Sequence, residues 1–119
     1  MRIAVTARGP TPQSPVDGRF GRAYWVLIHD DSSGTWDAVD NADARNAVQG
    51  AGVRAAQALV AHRVDALLTG VTGPKAFRAL EAAGVHVYHG AEGTVEAALQ
   101  AWRDGQVTRA AASDAVGTP

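Results

Sequence analysis

Val64-Asp65-Ala66-Leu67-Leu68-Thr69-Gly70-Val71-Thr72-Gly73-Pro74-Lys75-Ala76-Phe77 turns from one kind of structure to another within a few residues. Val64 to Thr69 is too short and too apolar for a surface helix and reads as a buried strand, with Gly70 as its break. Gly73 and Pro74 mark a helix start, because proline at the first helical position gives up an N–H that would have had no partner. Ala76, Phe77, Leu80 and Ala83 then recur at helical spacing. A strand-to-helix turn of this kind exposes backbone N–H groups that attract anions. A tight connection also needs glycine when nothing binds there, so both readings stand at this loop.

The 119 residues suit a single domain, and an apolar content of 46% is enough to build one core. Eleven basic and 12 acidic side chains give a formal charge of −1, which argues against a nucleic-acid or acidic-membrane surface. The chain has no cysteine, so disulfides, thiolate metal sites and cysteine nucleophiles are excluded. No apolar run approaches the roughly 18 residues of a membrane span, and Met1 leads directly into Arg2-Ile3-Ala4-Val5 without a signal-peptide segment. A cytoplasmic location is expected.

Arg2 to Ala7 reads as the first strand, followed by a long loop from Arg8 to Arg22 whose Pro10, Pro12 and Pro15 permit neither helix nor central strand. The loop carries Arg8, Arg19 and Arg22, and Phe20 between them is expected to anchor it to the core. Ala23 to His29 is a second strand, with Trp25, Leu27 and His29 on one face and Tyr24, Val26 and Ile28 on the other. Asp30 to Gly34 turns the chain, and Thr35 to Val39 returns as the partner of a hairpin. Asp40 to Gly50 is polar and irregular. Val53, Ala56, Leu59 and Val60 then mark a helix of about ten residues.

Beyond the opening stretch, Val85 to His89 is a short strand, and Gly90-Ala91-Glu92-Gly93-Thr94 leads into a helix with Thr94 as N-cap and Glu96 in the first turn. Val95, Ala98, Leu99 and Trp102 form its buried stripe. Residues 106–119 lack periodicity and are expected to be a loose tail behind a single α/β domain of residues 1–105.

The order β-β-β-α-β-α-β-α predicts a mixed five-stranded sheet flanked by helices, with a hairpin beside the first strand and two later strands added in parallel. The loops after Ala7, Thr69 and His89 then gather at one edge. That edge becomes a crevice of glycine backbone (Gly50, Gly52, Gly70, Gly73, Gly90, Gly93) at three helix starts, with Arg8, Arg19, Arg22 and Lys75 around it. Such a crevice suits an anion. A carboxylate-metal nuclease would need acids on strand interiors, and the first strand has none. Lys75 lacks the spacing of a phosphate loop, and Ser14 lacks the context of a hydrolase nucleophile. His89, at a strand's carboxyl end, is the best candidate metal ligand.

The opening M-R-I-A-V-T, the loop S-P-V-D-G-R-F-G-R-A, the Gly50-Ala51-Gly52 helix start, V-D-A-L-L-T-G-V-T-G-P-K-A-F, G-V-H-V-Y and G-T-V-E-A-A-L together resemble the dinitrogenase iron-molybdenum cofactor biosynthesis family over residues 1–105. The resemblance implies a small fold with a ribonuclease H-like motif, without nuclease activity, and binding or carriage of the iron-molybdenum cofactor or its iron–sulfur precursor, so a non-enzymatic carrier with partner proteins of cofactor biosynthesis is expected. Relatives that handle the cofactor commonly place a histidine immediately before the Phe-Gly of the first loop. Arg19 stands there in this chain, an anion partner and a poor metal ligand. A small-anion or nucleotide-binding regulatory module, and an interaction protein whose crevice is a by-product of the fold, are the alternative readings.

Overall fold

The computed structural model describes residues 1–116. Five strands, β1 (Arg2–Ala7), β2 (Trp25–Asp30), β3 (Thr35–Asp40), β4 (Ala66–Leu68) and β5 (His86–Tyr88), form one sheet in the order β3-β2-β1-β4-β5. β2 runs antiparallel to β1 and β3, whereas β4 is parallel to β1 and β5. This is the mixed sheet expected from the element order, in the ribonuclease H-like arrangement. Its helices are α1 (Ala42–Arg45), α2 (Ala51–Ala61), α3 (Pro74–Ala82) and α4 (Val95–Arg103).

β1 is the central strand, and Ile3, Ala4, Val5, Thr6 and Ala7 are all buried because helices cover both faces of the sheet. On one face Ala4, Val26, Ile28, Leu67 and Val87 meet Ala55, Ala56 and Leu59 of α2 and Ala76, Phe77 and Leu80 of α3, with Phe20 fully buried among them. On the other face Ile3, Val5, Leu27 and Leu68 pack under Val95, Ala98 and Leu99 of α4. The two faces of β2 therefore divide as its alternation predicts.

Several expectations change at the element ends. β4 and β5 are shorter than the apolar runs that contain them, since regular pairing is confined to three residues in each. Val60 is 46% exposed and Ala83 is exposed. Ala55, one turn before Leu59 on the same face, takes the place of Val60 in the buried stripe of α2. The irregular stretch after β3 holds the single turn α1, which buries only Ala44, and the Asn41 side chain at its start is tied to the chain ahead of β2 by Nδ2 donating to the Ala23 carbonyl at 2.9 Å.

The described part of the expected loose tail is docked. Arg109 bridges Tyr88 in antiparallel fashion, the Ala110 N–H donates to the Val87 carbonyl at 2.8 Å, and Ala110 is buried. The attachment runs through backbone groups at the open edge of β5, which explains why side-chain periodicity gave no sign of it.

Trp102 lies partly exposed against the α4 face and meets Tyr88 edge-on at 6.0 Å, rather than being fully enclosed. Phe20, by contrast, is wholly buried. Phe20→Ala is expected to lower the free energy of unfolding by about 3–5 kcal/mol, with a smaller loss for Trp102→Ala. Urea denaturation of the two variants measures this, and equal losses would contradict the packing described.

Candidate functional site

The carboxyl ends of β1, β4 and β5 do bring their loops together, but the loops spend their polar groups on one another. Thr6 Oγ1 donates to the Asp17 carbonyl at 2.6 Å, which makes the Thr69 hydroxyl, 2.7 Å away, the donor to Thr6 Oγ1. The Val71 N–H donates to the Gly18 carbonyl, the Val16 N–H to Gly93, the Gly90 N–H to Gly70 and the Ala91 N–H to Thr69. Gly70 lies so close to the first loop that an added Cβ would stand 2.5 Å from the Gly18 carbonyl oxygen. Its lack of a side chain is thus required by the packing of two backbones.

The start of α4 is also committed. Its Val95 and Glu96 N–H groups donate to the Ser14 and Pro12 carbonyls, both at 2.9 Å, and Thr94 Oγ1 accepts from Ala97. The proline-rich loop supplies the acceptors that a helix start otherwise lacks. Gly90 and Gly93 lie in this laced region. Arg8 is exposed, and Arg19 is 62% exposed with its Nε 3.8 Å from Asp17 Oδ1.

The starts of α2 and α3 differ. Their N-caps are Gly50 and Gly73, so neither helix receives a side-chain cap, and both face one cavity of about 550 Å³. Gly50, Gly52, Gly73, Lys75 and Arg22, five of the residues expected at an anion crevice, line it together. Arg78, one turn beyond Lys75 on α3, lines it as well and was not anticipated. Its place depends on the rotation of α3 against α2, which no local pattern reveals. Val48, Val53 and Pro74 contribute apolar wall, and among the described lining residues there is no carboxylate.

Close backbone contact sets this geometry. A Cβ on Gly21 would stand 2.6 Å from the Gly52 nitrogen, and one on Gly52 would stand 3.1 Å from Ala76 Cβ, so the first loop, α2 and α3 approach at these points. Arg22 Nη1 donates to the Arg45 and Ala47 carbonyls at 2.6 and 2.9 Å, which braces the chain leading into α2. Each uncapped helix start adds about half a positive charge to the field of Arg22, Lys75 and Arg78. The cavity is electropositive in a protein whose formal charge is −1.

His89 is turned toward Thr72. Its Nε2 accepts from the Thr72 N–H at 3.2 Å and lies 2.8 Å from Thr72 Oγ1, which places the ring proton of the neutral form on Nδ1. Among the described residues no group of three or more His, Cys, Asp or Glu could hold a metal ion. The donor set fits an anionic group gripped from outside by N–H groups and cations, and does not fit a cluster whose metals the protein ligates.

A model of the dinitrogenase iron-molybdenum cofactor family matches residues 1–105. The chain belongs to this family. Among solved structures, the apo form of the orange protein from Desulfovibrio gigas is 48% identical, with 92% of each chain covered and a TM-score of 0.89. A proposed NifB protein from Thermotoga, of the DUF35 family, is 35% identical over 91% of each chain, with a TM-score of 0.80. A proposed dinitrogenase from Methanocaldococcus jannaschii, 12% identical over 100% of this chain and 97% of its own, shares the fold at a TM-score of 0.68. No curated protein matches the chain. Among the described residues no helix is long and apolar enough to cross a membrane.

Burial holds the His89 pKa below the ordinary imidazole value of 6.5, against a smaller opposing pull from Asp114. A depressed value means that the folded state binds the proton less readily than the unfolded chain. The neutral His89–Thr72 contact is therefore fully present above about pH 6.5 and is lost as pH falls through the folded midpoint. An NMR titration of His89 is expected to give a midpoint under 6.5, and a midpoint above it would contradict this environment.

Proposed function

We propose that the protein is a non-enzymatic carrier that holds an anionic cofactor, the iron-molybdenum cofactor or an iron–sulfur precursor, in the cavity between α2 and α3, and passes it to protein partners of cofactor biosynthesis. The observation that carries this reading is the pairing of two uncapped helix starts with Arg22, Lys75 and Arg78 around one cavity. Membership of the cofactor family supports the chemical class of the ligand.

In this reading the N–H groups of the first turns of α2 and α3 donate to the outer atoms of the anion, and Lys75 and Arg78 neutralise its charge. Val48, Val53 and Pro74 shield part of its surface from water. Binding without protein–metal bonds leaves the ligand free to depart, as delivery requires. The cofactor brings the redox and metal chemistry; this chain supplies the cradle.

Cavity volume favours a second reading. About 550 Å³ lies within the general range of small-molecule sites, roughly 300–1,000 Å³, so a nucleotide or another organic anion also fits. Anaerobic reconstitution separates the two. The carrier reading expects iron and molybdenum to co-elute with the unaltered protein, with about tenfold or greater weakening in Lys75→Ala/Arg78→Ala and little change in Arg8→Ala. Nucleotide binding without any metal uptake would overturn it in favour of the second reading.

A further inference from the structure

We infer that Arg109 to Val116 is an intramolecular strap that sets ligand affinity by clamping the chain where it enters α3. This rests on the reading that the α2/α3 cavity binds an anion. The segment lies beyond residues 1–105, the part matched by the family model. It nevertheless crosses from the sheet edge to the start of the helix that lines the cavity.

Its course is fixed at both ends and nearly bare between them. At the first end Arg109 bridges Tyr88, Arg109 Nη2 donates to Glu81 Oε1 at 3.0 Å, and the Ala110 N–H bonds the Val87 carbonyl. At the other end Ala115 packs against the α2/α3 core, and the Val116 N–H donates to the Thr72 carbonyl at 3.1 Å. Residues 111–114 are exposed, and Val116 is 57% exposed. A segment held by so few buried contacts opens at low cost, well below global unfolding.

Thr72 is the point of coupling. Its N–H is bonded to His89 Nε2 and its carbonyl to Val116, while its side chain is buried. The next three residues, Gly73, Pro74 and Lys75, line the cavity. With the strap docked, both backbone groups of Thr72 are fixed and the first turn of α3 is aimed before ligand arrives. Once Val116 lets go, the Thr72 carbonyl loses its partner and the turn loosens, so an anion must order it on binding. The strap thus exchanges a tight state for a releasing state without touching the ligand.

The test uses the full chain with proline in place of Val116. Val116→Pro removes the N–H donor at an exposed position, and Ala115, at φ −78° and ψ 127°, already has the backbone that a following proline requires. Val116→Ala keeps the N–H and is the control. Amide hydrogen exchange is read at Thr72 and Phe77, the latter bonded to the Gly73 carbonyl, and affinity is measured with inorganic phosphate.

Val116→Pro is expected to speed exchange at both amides and weaken phosphate binding about twofold to tenfold, with Val116→Ala unchanged in both. Unaltered exchange in Val116→Pro overturns the strap whatever the affinity does. Faster exchange with unaltered phosphate affinity shows a clamp uncoupled from the cavity, and also overturns it. If the unaltered protein binds no phosphate at α2 and α3, the reading of the cavity fails, together with the strap's role in affinity, even where exchange responds.

Discussion

The close approach of glycine backbones along the first loop is the constraint on which the rest of this structure depends. Gly18 meets Gly70, and Gly21 meets Gly52, at separations that leave no room for a Cβ on Gly70 or Gly21. The first contact seals the loop over the ends of β1 and β4. The second brings the loop against the first turn of α2, next to Ala76 of α3. A methyl group at Gly21 would press on the Gly52 backbone, and relief would require α2 to shift away from the loop. That shift would open the distance between the two helix starts and weaken their combined field.

Charge placement follows from the same arrangement. The α4 start meets carbonyls of the proline-rich loop and is satisfied, while the α2 and α3 starts carry glycine N-caps and have no side-chain acceptor. Arg22 is directed to backbone carbonyls before α2, so part of its capacity is structural. Lys75 and Arg78, both exposed on α3, carry the remaining side-chain charge at the cavity. The distinction separates a conformational arginine from cations available to a ligand.

The fold was largely legible because its signals are local. The buried run of β1, the Gly73-Pro74 helix start and the Thr94 cap each depend on residues near in sequence, and each stands where expected. α1 escaped notice because its four residues have no periodicity and depend on Asn41 reaching Ala23. The docked segment after Gln106 escaped for a related reason, since its own backbone N–H groups at Ala110 and Val116 donate to the carbonyls of Val87 in β5 and of Thr72. At the site, the residue types were legible and their partition was not. Gly90 and Gly93 resemble Gly50 and Gly73 in sequence, and only the long-range bonds from Val95 and Glu96 to Ser14 and Pro12 reveal that the α4 start is already occupied.

The most direct measurement of the central claim is an amide NMR titration of the unaltered chain with inorganic phosphate, followed residue by residue. Shifts are expected to concentrate at Ala51, Gly52, Val53, Lys75 and Ala76, the first-turn amides of α2 and α3. Gly90 to Glu96 should stay near their starting positions, because the adjoining loop supplies the acceptors at the start of α4. Shifts confined to Gly90 to Glu96, with the starts of α2 and α3 unmoved, would contradict the account.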